Sequence, residues 1–254
     1  MVINLVYTMN KKYEKWFALS LHSVMKNNHD VHVYLYSDDL DSINKKTKEF
    51  KTFYPSLKIT IIDDPRIKEW TKIFSNEARG FSHVSKEGFV RLFLSKLPHL
   101  PKKVIYFDCD IINVASLKEL WETDMEGKSF LGCRGIAFSD NQAKELNNPY
   151  YVISGMLVMD LERLRSINAV ETIIEKHKIS LSKPSTPSAD ETLLNDLFFK
   201  EIKLVPEFWN YCYNREYSER AYPKELIKNW HVSGIDKTAM YKLLASTLHK
   251  SSND

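Results

Sequence analysis

An α/β fold, built on a mainly parallel sheet flanked by helices, is predicted by three observations. Short apolar runs alternate with segments of helical periodicity through the first half of the chain, the pattern of strands joined by crossover helices. The chain has 254 residues, 43% hydrophobic and 12% aromatic, which is ample for one large core and too apolar for disorder. Two carboxylates, Asp108 and Asp110, stand where an apolar run ends, and ligands of such sheets bind beyond the carboxyl ends of strands.

Val2–Tyr7 is a short apolar run and reads as the first strand. Residues Tyr13 to Lys26 carry Phe17, Leu21 and Val24 at helical spacing. Val31–Tyr36 sets Val31, Val33 and Leu35 on alternate positions, as a half-buried strand requires. A polar, Lys-rich helix is expected from Asp41 to Phe53, ended by Pro55, and Leu57–Ile62 is the next strand. Asp63 to Ser82 is less regular. Ser85–Leu97 is helical, with Phe89, Phe93 and Leu97 on one stripe and Pro98 stopping it. Val104–Phe107 then forms the strand that delivers the aspartate pair.

The second half is more mixed. Ser129–Cys133 and Val152–Asp160 read as strands and Leu161–His177 as a helix. Ser180–Ser188, with Pro184 and Pro187, is a polar loop. Ala189–Phe199 is helical, with Asp190 and Glu191 in its first turn, where negative charge is favoured. Ile202–Val205 and Ile227–Val232 are late strands, and a short helix beyond Lys237 runs into a frayed end over Lys250–Asp254. No internal repeat or low-complexity tract interrupts the chain.

With 36 basic and 33 acidic residues the net charge is only +3, too balanced for a nucleic-acid footprint. No stretch reaches the apolar length of a transmembrane span, and the first residues are too short and strand-like for a secretory signal. Cys109, Cys133 and Cys212 are widely spaced and lack C-x-x-C pairing, so they read as reduced thiols of a cytoplasmic protein.

Asp108-Cys109-Asp110 carries the most chemistry. If the extended geometry continues past Phe107, residues two apart share a face, and the carboxylates emerge about 6–7 Å apart. Two such charges repel by about 2–2.5 kcal/mol at an effective dielectric near 20, and a divalent cation would turn the repulsion into a binding site. The plainer alternative is a solvated cap on a strand. His231-Val232-Ser233-Gly234-Ile235-Asp236-Lys237 is the second feature. His231 ends an apolar strand, Gly234 allows close backbone approach, and Lys237 supplies a point charge suited to phosphate. A carboxylate–imidazole set suits Mn²⁺ or Mg²⁺, although a histidine after a strand is also a common structural residue. Arg91, between Phe89 and Phe93, reads by itself as a snorkelling arginine.

The order of these motifs resembles glycosyltransferase family 8, the retaining, metal-dependent enzymes that include lipopolysaccharide galactosyl- and glucosyltransferases and glycogenin. The resemblance covers about residues 2 to 240. It is carried by Asn10-Lys11-Lys12-Tyr13, Ala18-Leu19-Ser20-Leu21-His22-Ser23, Arg91-Leu92, Leu97-Pro98 and Lys103 through Asp110. Ser154-Gly155-Met156-Leu157-Val158-Met159-Asp160-Leu161, Asp190 through Asn195, Pro206, Trp209-Asn210, His231, Gly234 and Lys237 complete it. The resemblance implies a GT-A type, Rossmann-like fold in a single domain. Its nucleotide-binding half would be residues 1–115, its sugar and acceptor half 116–240, and its C-terminal helix and tail 241–254.

It also implies roles. Asp108, Asp110 and His231 would hold Mn²⁺, or Mg²⁺, on the diphosphate of a UDP-sugar. Lys237 and the Gly234 backbone would neutralise the phosphates. Thr8 and Asn10, after the first strand, would contact uridine, and Arg91 the donor. Tyr13 and Cys109 join the donor-binding set, and Asp190 would hydrogen-bond sugar hydroxyls. The acceptor would be a carbohydrate, a glycolipid or a protein, with no nucleic acid and no transmembrane segment involved. The chain ends soon after Lys237, without a basic aromatic extension, so a soluble protein is expected, and a homodimer is left open.

The chain departs from the family pattern at several positions. It has Glu191-Thr192 after Asp190 where Gln-Asp is common, Ile153 where Asn is common, and Ala239 where Trp usually follows the lysine. Asn10 stands where Asp is frequent. The metal and phosphate residues match, whereas those that read the sugar are altered. Glu191 has three readings: a nucleophile forming a covalent glycosyl-enzyme, a bystander to same-face substitution, or a charge favouring a helix N-terminus. Two rival functions are a nucleotide-sugar binding protein without transfer activity and a metal-dependent nucleotidyltransferase. The second needs a glycine-rich phosphate loop near the N-terminus, and no glycine precedes Gly80. Segments 63–82 and 137–150 are the least patterned, and one of them is expected to order over bound donor.

Overall fold

The computed structural model describes residues 1–73, 86–134, 148, 150–180, 189–213, 222–234 and 236–250, with the side chains of 177–180, 189 and 247–250 left aside. The first half contains β1 (Ile3–Met9), α1 (Glu14–Asn27), β2 (Val31–Ser37), α2 (Leu40–Phe53), β3 (Lys58–Ile61) and α3 (Arg66–Lys72). A 3₁₀ helix, Lys86–Lys96, precedes β4 (Lys103–Phe107), β5 (Ile111–Asn113), α4 (Lys118–Glu122), β6 (Phe130–Arg134) and β7 (Val152–Asp160). After these come α5 (Leu161–Ser166), α6 (Ala169–Ser180), α7 (Ala189–Phe198), β8 (Ile202–Val205), β9 (Tyr211–Cys212), β10 (Asn229–His231) and α8 (Ala239–Lys250).

Among the described residues a seven-stranded sheet runs β3-β2-β1-β4-β7-β6-β8. Its β1–β2, β2–β3, β1–β4 and β6–β8 pairs are parallel, and β7 is antiparallel to both β4 and β6. Side chains alternate across it with the period of two that a strand imposes. Val104, Tyr106, Leu157 and Met159 enter one apolar layer, with Phe89, Phe93, Leu164 and Ile173 from the helices. Ile105, Phe107, Met156 and Val158 enter the other, with Phe17, Leu21, Val24 and Leu120. Both faces are therefore covered, as a mostly parallel sheet requires. The chain reverses its direction of travel between β1 and β4, so the crevice at their carboxyl ends is the sheet's switch point.

The first-half elements match the predicted spans within about two residues, as boundary fraying allows. Thr8 belongs inside β1 rather than after it. The single helix expected over Leu161–His177 is two, because Asn168 takes a left-handed conformation, φ 51°, that an asparagine tolerates and a helix does not. The segment Lys86–Lys96 is buried on nearly every side rather than along one stripe, since it is enclosed between the sheet and α3, α5, α6 and α7. Helix α3 lies within the stretch read as irregular, and β5, α4 and β9 are too short to leave a periodic signal. The strand expected at Ile227–Val232 is confined to Asn229–His231. Residues 74–85, 135–147, 149, 181–188, 214–221, 235 and 251–254 lie outside the described residues, and with them most of the frayed tail, most of the polar loop, most of segment 137–150 and the second part of segment 63–82.

A second sheet, β5-β10-β9, is tied to the body by buried asparagines. Asn28 Nδ2 donates to Asn113 Oδ1 at 3.1 Å, Asn113 Nδ2 to Asn229 Oδ1 at 2.7 Å, and Asn229 Nδ2 to the Trp209 carbonyl at 2.7 Å. The ladder locks α1, β5 and β10 in register. Asn113→Ala is expected to lower stability by about 2–3 kcal/mol, since it leaves buried partners unsatisfied. Urea unfolding checks this, and a change below about 0.5 kcal/mol would refute the ladder's importance.

Candidate functional site

Strand β4 leaves the core at Phe107, and the chain then turns at Cys109–Asp110 instead of continuing extended. The extended two-residue geometry expected for the aspartate pair is therefore replaced by a turn. The Asp108 N–H donates to the Gly155 carbonyl at 2.7 Å, and the Val232 N–H donates to the Asp110 carbonyl at 2.9 Å. Strand β5 pairs antiparallel with β10, setting Ile111 opposite His231. That pairing carries the histidine to the aspartates. Ligand atoms of Asp108, Asp110 and His231 all lie within 4.8 Å of one another. His231 Nε2 is 3.3 Å from Asp110 Oδ1 and 4.0 Å from Asp108 Oδ2.

Two buried cations brace the pair. Arg91 is 6% exposed, so it is not a snorkelling residue. Its Nη2 donates to Asp108 Oδ1 at 2.8 Å, its Nη1 to the Ser154 carbonyl at 2.7 Å, and its Nε to the Gly88 carbonyl at 2.9 Å. Nε also lies 3.1 Å from Asp190 Oδ2, and the guanidinium sits 4.4 Å over the Tyr106 ring. Lys237, also 6% exposed, donates to Asp110 Oδ2 and to the Val232 carbonyl.

Burial alone would raise the Asp110 carboxyl, but His231 and Lys237 outweigh it and hold the group well below the usual carboxylate range. Burial pushes Asp108 up, helped by Asp110 and Asp190 and opposed by Arg91 and His231. Burial works against charge on His231 as well, yet the Asp110 carboxylate drives its pKa well above the ordinary value.

The remaining expected residues fall around this centre. Thr8 Oγ1 and Tyr106 Oη are hydrogen-bonded at 3.0 Å, and Tyr106 donates on to Asp108 Oδ1 at 2.9 Å. Asn10 caps the turn after β1, its Oδ1 accepting from Lys12 N at 3.0 Å, while its Nδ2 reaches Glu87 Oε2 at 3.4 Å. Tyr13 is half-buried, and burial with the neighbouring Asp110 and Asp108 charges raises its pKa. Cys109 is buried, its Sγ 3.9 Å from the Thr8 carbonyl. Gly234 has φ 100°, a left-handed conformation that favours glycine. Sequence reasoning missed a role for Gly155 in β7. A Cβ there would lie 2.3 Å from His231 Cε1 and 3.0 Å from Asp108 Oδ2. The Ser154-Gly155 pair is the only signal the chain offered for it.

Helix α7 brings its first turn against β7. The Ser154 N–H donates to Glu191 Oε2 at 3.0 Å, and Asn195 clasps the Val152 peptide, accepting at 2.7 Å and donating at 2.8 Å. Burial raises the Glu191 carboxyl to about 7, with Asp190 adding to the rise and the Ser154 N–H opposing it. The folded state then holds a proton that the unfolded chain releases, so this group's contribution to stability falls as pH rises from about 4.5 to about 7. Glu191→Gln keeps an acceptor for Ser154, and it is expected to gain about 2 kcal/mol over the parent at pH 8 and nothing at pH 4.5. Parallel denaturation at the two pH values checks this, and equal gains at both would refute the buried charge.

Among the described residues Asp110 Oδ1 is buried and accepts no hydrogen bond, with His231 Nε2 at 3.3 Å. An acceptor in that state, beside a second carboxylate and an imidazole nitrogen, fits a divalent cation that takes mixed O and N donors. The absent side chain at Gly155 keeps the space open. No helix among the described residues is long and apolar enough to cross a membrane.

Solved structures of the galactosyltransferase LgtC share the fold. One with donor and acceptor sugar analogs superposes with a TM-score of 0.77 at 14% identity, covering 96% of each chain. An active-site glutamine-to-glutamate mutant of LgtC gives the same score at 17% identity. A putative glycosyltransferase of Haemophilus influenzae is 23% identical over 218 residues, 82% of this chain and 63% of its own length. The human UDP-glucose:glycoprotein glucosyltransferase 2 is 28% identical over 160 residues, 56% of this chain but 10% of its own. The chain thus spans under two thirds of both relatives. The model of glycosyl transferase family 8 matches residues 4–233, and the chain belongs to that family.

Proposed function

We propose that the protein transfers a hexose from a UDP-sugar to an acceptor hydroxyl with retention of the α-configuration. The observation that carries this reading is the convergence of Asp108, Asp110 and His231 at the switch point of the sheet. Asp108, Asp110 and His231 would hold Mn²⁺, with Mg²⁺ as the alternative, and the bound ion would supply positive charge to the donor diphosphate. Relatives support the donor class: one is named for UDP-glucose, and LgtC is described with donor and acceptor sugar analogs. Three buried cysteines outside any disulfide fit a reducing compartment, the cytoplasm.

In the proposed reaction the bond between the sugar C1 and the diphosphate oxygen breaks, and its electron pair leaves with UDP. The acceptor oxygen bonds C1 on the same face, and the acceptor proton passes to the departing phosphate oxygen. Lys237 and the Gly234 backbone meet the charge that grows on UDP, and positive charge placed where negative charge develops contributes strongly to such steps. Arg91 fixes the Asp108 carboxylate and Asp190 relative to each other, and Asp190 binds sugar hydroxyls. Thr8, Asn10 and Tyr13 flank the nucleoside, with Cys109 contributing backbone alone. Glu191 is assigned a positioning role, because one oxygen is committed to the Ser154 peptide and burial keeps the group neutral up to about pH 7. The acceptor is a carbohydrate, a glycolipid or a protein.

UDP release measured with Mn²⁺ across a panel of UDP-sugars tests the proposal. Turnover of at least one UDP-hexose, lost on chelation, is expected. Binding without turnover would leave a nucleotide-sugar sensor, and pyrophosphate release from a nucleoside triphosphate would mark a nucleotidyltransferase.

A further inference from the structure

We infer that Lys237 is the internal counter-ion of the metal-free site, seated on Asp110 until a divalent cation and a diphosphate arrive, and then passing from the carboxylate to the phosphates. The inference rests on the cation reading given above. Its starting point is that one oxygen of the carboxylate expected to ligate the ion is already taken by an ammonium. Lys237 Nζ donates to Asp110 Oδ2, while Asp110 Oδ1 faces His231. An ammonium and a divalent cation on one buried carboxylate repel each other strongly, so the two compete for Asp110.

Of the two buried cations only Lys237 is free to yield. Arg91 is held by Gly88, Ser154, Asp108 and Asp190, and its departure would break four sets of contacts. Among the described residues Lys237 has two partners, Asp110 and the Val232 carbonyl. It also lies outside regular structure, after β10 and before α8. A lysine displaced from Asp110 keeps its three donors and its charge and needs a new anion nearby. A diphosphate gripped by the same ion supplies one. The exchange would make the metal and the nucleotide reinforce each other: the nucleotide draws away the group that competes with the metal.

The test compares the full chain with Lys237→Met, using Mn²⁺ alone and then Mn²⁺ with UDP. Free Mn²⁺ is read by electron paramagnetic resonance, which requires no turnover. The variant is expected to bind Mn²⁺ alone about tenfold more tightly than the parent, and to bind UDP at saturating Mn²⁺ at least about tenfold more weakly. Equal or weaker Mn²⁺ binding by the variant would overturn the counter-ion role and leave the metal site standing. Absence of Mn²⁺ binding by both proteins would overturn the metal reading itself. Should the variant fail to fold in a melting control, the parent decides the matter through its Lys237 ammonium resonance in ¹⁵N spectra. A shift on adding Mg²⁺ and UDP supports the exchange, and an unmoved resonance in the presence of bound UDP refutes it.

Discussion

Asp110→Asn is expected to reduce UDP release at least about a thousandfold, roughly 4 kcal/mol of transition-state stabilisation. The reason is that this one residue meets three groups, two of them through its carboxylate. Its Oδ1 lies 3.3 Å from His231 Nε2, its Oδ2 accepts from Lys237, and its backbone carbonyl anchors Val232. Replacing it with an amide preserves size and the backbone anchor but removes the charge. The proposed ion then loses one of two anionic ligands, and His231 loses the neighbour that sustains its raised pKa. A buried ammonium facing an amide is also a liability, so a loss of about 2–3 kcal/mol of stability is expected alongside. Both effects must be measured together, activity at saturating Mn²⁺ and unfolding in urea. Turnover within tenfold of the parent at saturating Mn²⁺ would remove Asp110 from the catalytic centre.

Gly155→Ala carries the second large effect, and it acts through shape alone. A Cβ at this position lies 2.3 Å from His231 Cε1 and 2.9 Å from Nδ1, far inside contact distance. The obstacle is the ring of a buried histidine engaged with Asp110, so it cannot swing aside without giving up that carboxylate. The other neighbour is Asp108 Oδ2, and the Gly155 carbonyl accepts the Asp108 N–H at 2.7 Å, so moving the strand disturbs the same site. Turnover is expected to fall about a hundredfold or more and Mn²⁺ affinity about tenfold or more, as misplaced reacting groups imply. Gly132→Ala, on the neighbouring strand, is the control. Its Cβ would meet Val152 Cβ at 2.9 Å, so it should cost about 1–3 kcal/mol of stability by overpacking and leave Mn²⁺ affinity unchanged. Equal Mn²⁺ affinity in the two variants would show that Gly155 has no special bearing on the centre.

Much of the fold was legible in the chain because its signals are local. Val31, Val33 and Leu35 alternate within seven residues, and Phe17, Leu21 and Val24 repeat within eight, so burial of one face dictates strand and helix without reference to distant residues. The same local logic set Asp108 and Asp110 at a strand end. It failed where short-range cues were weak. Strands β5 and β9 have three and two residues, too few for a period to show, and the break at Asn168 depends on one backbone angle. In Lys86–Lys96 nearly every face packs, so a one-stripe reading understated its burial.

By itself the sequence determined the layered α/β architecture of the first half and placed Asp108 and Asp110 at a strand end, since each of these is written in residue type and near-neighbour spacing, whereas His231 joined the aspartates only through the family resemblance. Only the tertiary structure decided how they meet: His231 reaches the aspartates because β10 pairs with β5, Gly155 faces them because β7 pairs with β4, and Arg91 and Lys237 find their carboxylates across long stretches of chain. Such contacts depend on hydrogen-bond register between distant strands and on which buried charges neutralise one another. Neither leaves a local trace, because the energy that selects them exists only once the core has closed.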